Sequence, residues 1–465
     1  MNSENIMPID NKLAKDRLIE NKQQLIDYIA AGSKPPQDWS IGTEHEKFGF
    51  CIDSLKPVPY AGTRSIHGIL TAMQEFGWKP MMEGKYIIGL TKNGQSVTLE
   101  PGGQLELSGA MRKTLHETCA EVSSHLTLTK AVSKKLGIGF LGMGFNPNTR
   151  RADVPLMPKG RYVIMRDYMP KKGNLGLDMM LRTSTIQVNL DYSDEADMVK
   201  KFRVSLALQP IATALFAASP FTEGKPNGYL SYRSHIWTDT DPDRCGILSF
   251  VFKDNMGFEA YVDHVLDVPM YFVYRPGRAE GEYIDVAGQS FRDFLKGRLP
   301  GYPGHKPTMQ DWEDHMSTLF PEVRLKKFLE MRGADGGTGH WICALPALWT
   351  GLFYDQASLN AAWDLVKDWT NEEHEYLRAN VPLKALATPF RNGTVLDIAK
   401  EMVALSAQGL QRRARTNSTG EDERILLNPL YGVLERKKTV AEDMLEKFYG
   451  EWGGDISRVF EDYAF

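Results

Sequence analysis

The segment Ile41-Gly42-Thr43-Glu44-His45-Glu46-Lys47-Phe48-Gly49-Phe50 sets two carboxylates two residues apart inside a run that favours β structure. In an extended chain alternate residues share a face, so Glu44 and Glu46 stand side by side. Neighbouring carboxylates repel, and each takes up a proton unless a cation lies between them. A hard divalent ion with oxygen ligands resolves that repulsion. If the glutamates instead faced plain solvent, His45 and Lys47 would point into the core, a costlier arrangement that buries two titratable groups. This strand therefore predicts a sheet face built around metal.

Three further runs repeat the pattern. In Val97-Thr98-Leu99-Glu100-Pro101-Gly102-Gly103-Gln104-Leu105-Glu106-Leu107, Pro101-Gly102-Gly103 interrupts a strand between Glu100 and Glu106. Glycine there lets the backbone approach a ligand closely. In Leu329-Glu330-Met331-Arg332, Glu330 and Arg332 share a face if extended, an acid beside an arginine suited to holding metal and phosphate together. In Thr185-Ile186-Gln187-Val188-Asn189-Leu190-Asp191 the polar residues alternate with Ile186, Val188 and Leu190. Each run alone is an ordinary polar strand. Four together predict a concave antiparallel sheet whose polar face is a metal–nucleotide site.

Helical stretches at Leu13–Ala31, Leu115–Leu136 and Glu195–Ala218 lie between strand-like runs at Trp39–Ile52, Gln95–Leu107, Gly137–Phe145 and Thr185–Tyr192. Strands and helices do not alternate regularly, so the expected class is α+β. Gly137-Ile138-Gly139-Phe140-Leu141-Gly142 fits G-x-G-x-x-G, but a helix precedes it and a Pro/Asn loop follows, the reverse of a dinucleotide fingerprint. No phosphate-binding P-loop occurs. A net charge of −4 over 465 residues argues against a nucleic-acid partner. The best apolar run, Leu206–Phe216, is too short to span a bilayer and contains Gln209 and Pro210. The polar start, Met1 to Lys15, reads as neither signal nor transit peptide. Cys51, Cys119, Cys245 and Cys343 include no CxxC, which disfavours zinc and suggests a reducing, cytoplasmic location.

The longer motifs are specific. IGTEHEKFGF, SVTLEPGGQLELSGA, MMLRTSTIQVNLDY, LALQPIATALFAASPFTEGKPNG, SYRSHIWTDTDPDR, FPEVRLKKFLEMRGADGG and EKFYGEW resemble the plant-type glutamate–cysteine ligases, also found in bacteria. The resemblance runs from about Pro35 to the C-terminus. It implies a glutamine-synthetase-like antiparallel sheet forming a funnel, with flanking helices and a helical C-terminal region. The implied division is an N-terminal helical segment (1–36), a catalytic core (37–343) and C-terminal helices packed on it (344–465).

The implied reaction uses ATP to phosphorylate the γ-carboxylate of glutamate, after which the cysteine amine displaces phosphate to give γ-glutamylcysteine, the first step of glutathione synthesis. Carried over by motif, Glu44, Glu46, Glu100, Glu106 and Glu330 bind Mg²⁺, with Mn²⁺ as an alternative. Glu330 and Arg332 are the catalytic pair, Arg332 on phosphate. Gln187 and Asn189 lie on the substrate side, and Arg233 grips the α-carboxylate of glutamate, since arginine binds carboxylates bidentately. The expected partners are glutamate, cysteine and ATP, with no membrane and no nucleic acid, in a monomer or homodimer.

The resemblance also implies a Cys119–Cys343 disulfide. A second pair found in plant members is lost, because its positions read Val286 and Gly301. Two other readings stay open: a ligase of the same fold using another amine, and a redox-sensing protein without turnover. The second sits poorly with five retained glutamates.

Overall fold

The computed structural model describes residues 17–275 and 282–465. Its centre is a nine-stranded antiparallel sheet. The strands are β1 (Ile41–Cys51), β2 (Lys79–Glu83), β3 (Tyr86–Lys92), β4 (Gln95–Leu99), β5 (Leu105–Ser108), β6 (Ile138–Leu141), β7 (Thr185–Leu190), β8 (Val323–Leu325) and β9 (Leu329–Asp335). Their order is β8-β9-β7-β1-β5-β4-β3-β2, and β6 pairs with the far end of β1. The long β1 can thus carry β5 beside its first half and β6 beside its second. The expected α+β class with a large antiparallel sheet is what the molecule has.

The hairpin β2–β3 was not legible. Residues 79–82 are all exposed, so they lack the apolar alternation that betrays a half-buried strand. The expected helix Leu13–Ala31 is shorter among the described residues: α1 spans Lys22–Ala30, started by an Asn21/Gln24 capping box, and residues 13–16 lie outside the description. Helix α2 (Leu115–Lys135) begins with a Thr114/Glu117 capping box and ends on Lys134 and Lys135, matching the helix dipole at both ends. Helix α3 (Glu195–Leu215) starts on Asp194 with Glu195 and Asp197 in its first turn.

The reverse face of β7 (Ile186, Val188, Leu190) feeds a large apolar core shared with α3 and with α5 (His340–Phe353) and α6 (Val395–Arg413), numbered after the short helix α4 (Tyr232–Thr238). Helices α5 and α6 touch backbone to backbone, and a Cβ added at Gly409 would strike the Gly351 carbonyl. That close approach joins the C-terminal helices to the core behind the sheet. Cys119 on α2 and Cys343 on α5 face one another with Cα atoms 5.8 Å apart, a span a disulfide bridges. Cys51 and Cys245 are free. Among the described residues no helix is long and apolar enough to cross a membrane.

Candidate active site

The polar face of the sheet lines a cavity of about 350 Å³. Register explains its composition. Glu46 lies directly opposite Glu106 on β5, which in turn faces Thr98 on β4. One step along, Glu44 faces Ser108 on one side and Gln187 on the other. Even-numbered residues of β1 therefore share a face with their partners on both neighbours, as a pleated sheet requires. Glu100 joins this wall from the turn between β4 and β5. That turn closes with the Gly103 amide donating to the Glu100 carbonyl at 2.9 Å, and Gly103 has φ +83°, where a side chain would be strained. The close backbone approach expected at these glycines is to the protein itself: a Cβ on Gly102 would hit the Leu181 carbonyl.

Among the described residues none of Glu44, Glu46, Glu100 and Glu106 is ion-paired with a lysine or arginine. Burial, with Glu330 and Glu106 nearby, lifts the Glu44 carboxyl to about 7. Burial and the charges of Glu100 and Glu106 push Glu46 well above the carboxylate range, and burial with Glu100 raises Glu106. Besides the contact between Glu44 and Glu106, neutral donors reach them. Asn189 Nδ2 donates to Glu44 at 2.8 Å, the Thr185 amide to Glu46 at 3.2 Å, and the Thr98 hydroxyl to Glu106 at 2.7 Å.

The opposite wall is cationic. Arg233, on α4, is only 3 % exposed. It donates one bond, to the Arg332 carbonyl at 3.0 Å, and its Nε has no partner. Burial lowers its basicity, while Asp335 and Glu46 oppose that shift. Arg233 is therefore not a surface cation. Arg332 donates to Gln187 Oε1 at 2.8 Å, which fixes its guanidinium over the sheet. Gln187 lines the cavity, whereas Asn189 does not and instead orients Glu44.

Glu330 lies on the expected face of the sheet, opposite Asn189, but does not line the cavity. It is 0 % exposed, and Arg324 grips both of its oxygens at 2.5 and 3.0 Å, with Lys326 and Arg332 each at 3.3 Å. Burial would raise its carboxyl, but Arg324, Lys326 and Arg332 outweigh burial and hold it well below the usual range. A carboxylate so surrounded anchors three cations of the chain. Asp191, expected on the polar face, sits beyond the end of β7, paired with Lys34 at 2.8 Å and accepting from the Ser40 amide.

Several lining residues were not singled out from sequence. Arg324 and Lys326 were signalled by the antiparallel register, which sets Arg324 opposite Glu330, but only once β8 and β9 are known to pair. Lys159, Arg161 and Tyr162 come from the start of a helix, Gly160–Tyr168, that carries no polar-face signal. Lys159 Nζ donates to the Leu99 carbonyl at 2.7 Å, and burial lowers its ammonium to about 8 while Glu100 pulls it back up.

His45 and Lys47 correct a premise. Both are fully buried on the reverse face of β1, although Glu44 and Glu46 line the cavity. Lys47 Nζ donates to the Leu105 carbonyl at 3.2 Å, and His45 packs edge-on against His125 with ring centroids 5.6 Å apart. Burial lowers the Lys47 ammonium to about 7, against the pull of Glu106 and Glu46. The strand pays on both faces.

Comparison with known proteins decides the family. A model of glutamate-cysteine ligase family 2 matches residues 40–462. The chloroplastic glutamate–cysteine ligase of Brassica juncea is 56 % identical over 445 residues, covering 96 % of this chain and 84 % of that one. The chloroplastic enzyme of Arabidopsis thaliana is 57 % identical over 445 residues, with 96 % and 83 % covered. The chain belongs to the glutamate–cysteine ligases. A crystal structure of glutamate–cysteine ligase from Francisella tularensis in complex with AMP matches with TM-score 0.53 at 13 % identity, covering 93 % of this chain and 89 % of that one, and shares the fold. The expected cytoplasmic location is overturned: these relatives are named chloroplastic.

Proposed function

We propose that the acidic wall and the buried arginines together carry out the ATP-dependent joining of the glutamate γ-carboxylate to the cysteine amine. The observation that carries this reading is one cavity lined both by Glu44, Glu46, Glu100 and Glu106, none of them in an ion pair among the described residues, and by Arg233 and Arg332. A carboxylate is a poor electrophile, and phosphorylation gives it a leaving group. Moving a phosphoryl group between two anions demands fixed positive charge around its oxygens. Arg332, held by Gln187, and Lys326 and Arg324 beside it supply that charge from this chain. Arg233, with an unsatisfied N–H and little solvent, suits the α-carboxylate of glutamate. The displaced phosphate leaves as the amine attacks the γ-glutamyl phosphate, and the buried walls keep water from competing.

Magnesium fits the donor set. The donors are all oxygen, and the carboxylates repel one another without a cation. Among the described residues no three His, Cys, Asp or Glu side chains converge on one point, so the donors act as pairs. Glu44 touches Glu106, and Glu46 faces Glu100 and Glu106. Magnesium is commonly held by one or two carboxylates plus phosphates, which suits pairs rather than a cage. Bound there, it would neutralise the phosphates of ATP and the charge of the transferring group. Glu330 is left out of this set. The AMP bound to the Francisella enzyme agrees with a nucleotide substrate.

The test is removal of divalent ions by a chelator, which should abolish phosphate release with glutamate, cysteine and ATP, followed by recovery on adding Mg²⁺. Full turnover in excess chelator would sink the metal assignment. Comparable phosphate release with ammonia in place of cysteine would sink the choice of amine. Cys119 and Cys343 are read as a conditional redox link between α2 and α5; four free thiols by mass spectrometry after mild oxidation would remove it. Residues 344–465 are read as a helical region packed on the sheet core.

A further inference from the structure

Behind β1, on the face away from the catalytic cavity, lies a second cavity of about 310 Å³. That is the small end of the range of small-molecule sites, about 300–1,000 Å³. One side is apolar: Phe50, Phe140, Phe460 and Phe465 contribute to it. The other side is α2, which presents Thr129 and Ser133 together with Lys130 and Lys134. Lys47, fully buried, also lines the cavity.

Lys47 is 0 % exposed and makes a single hydrogen bond, to the Leu105 carbonyl, although an ammonium carries three donors. Among the described residues no acidic side chain lies within ion-pair distance of Lys47, Lys130 or Lys134. Fully buried lysines are ordinarily paired, because an ammonium out of water is costly without a counter-charge. Here three lysines line one hollow and, among the described residues, none of them is ion-paired to an acid. The nearby hydroxyls are already turned to partners of their own, Thr129 to His125 Nε2 and Ser133 to the Lys130 carbonyl. The matching occupant has one anionic head for the lysines and a hydrocarbon body for the phenylalanines.

We propose that this cavity is a second ligand site, taking a small amphipathic monoanion such as a medium-chain or aryl carboxylate. The head lies against Lys47 and the body between α2 and the C-terminal aromatic residues. The site does not depend on the catalytic reading, since the sheet separates the two cavities.

Octanoate is the probe, with 1-octanol as its neutral counterpart, titrated calorimetrically into the full-length protein. Octanoate should bind saturably at one site per chain, about tenfold or more tighter than 1-octanol, the scale of one hydrogen bond to a charged group. Lys47→Met should erase that preference. Lys130→Glu combined with Lys134→Glu should weaken octanoate severalfold, and both positions are exposed, so this variant decides if Lys47→Met does not fold. Saturating ATP and glutamate should leave octanoate affinity unchanged. The proposal is overturned by the absence of saturable binding, by equal affinity for 1-octanol, by unchanged octanoate affinity in the folded variants, or by displacement with ATP or glutamate.

Discussion

The two faces of β1 are both polar, yet they solve opposite problems. On the front, Glu44 and Glu46 line a cavity with Glu100 and Glu106 and have no cation of this chain paired to them. On the back, Thr43, His45 and Lys47 are buried against α2, whose inward side carries Glu121, His125, Thr129 and Ser133 at helical four-residue spacing. The front leaves charge uncompensated where substrate and metal can answer it. The back leaves polar atoms uncompensated with no reacting group to answer them: Thr43 Oγ1 and both ring nitrogens of His45 lack partners. Burial by itself therefore does not mark a catalytic residue; a shared cavity with complementary charge does.

Substitutions on the two faces should separate these roles. The largest effect is expected at the front, where Glu46→Gln should cost at least ~10²-fold in turnover, the scale of losing charge stabilisation at a transferring group. Its melting temperature should be no lower than wild type, since one repelling carboxylate is gone; near-normal turnover at saturating Mg²⁺ would break the comparison. Arg233→Ala comes next. The KM for glutamate should rise roughly tenfold to a hundredfold, as expected for losing charged hydrogen bonds, with a smaller change in kcat. A rise confined to the KM for ATP would move Arg233 to the nucleotide side.

Asn189→Ala should cost about tenfold in apparent Mg²⁺ affinity, because its amide orients Glu44 without lining the cavity. An unchanged Mg²⁺ requirement would reduce Asn189 to a packing residue. The smallest effect is expected on the back. Thr43→Val keeps the shape and removes an unpartnered hydroxyl, so stability should change by less than about 1 kcal/mol and not fall, with turnover as in wild type. A loss of turnover there as large as that of Glu46→Gln would erase the distinction between the faces.

Periodicity exposed most of the site because strands alternate strictly. Glu44, Glu46, Glu106 and Gln187 each sit where a two-residue repeat puts them, and the core residues Ile186, Val188 and Leu190 follow from the same repeat. Arg233 came from family motif, and its burial on α4 could not be read from Ser231-Tyr232-Arg233. Glu330 shows the limit. Its face was read correctly, since Arg332 is beside it, but Arg324 and Lys326 belong to a strand whose pairing no local pattern announces. Lys159 and Arg161 reach the cavity from a helix start 60 residues along the chain from Leu99, whose carbonyl Lys159 meets.

The sequence by itself determined which residues share a strand face and which family the chain resembles, because alternation and long motifs are local properties. Tertiary structure alone decided which charges are answered. Glu330 and Glu106 are both glutamates on strands of one sheet, but three cations surround the first and none pairs with the second. The free energy of a buried charge depends on every neighbour within a few ångströms, and those neighbours arrive from strands, turns and helices far apart in the chain.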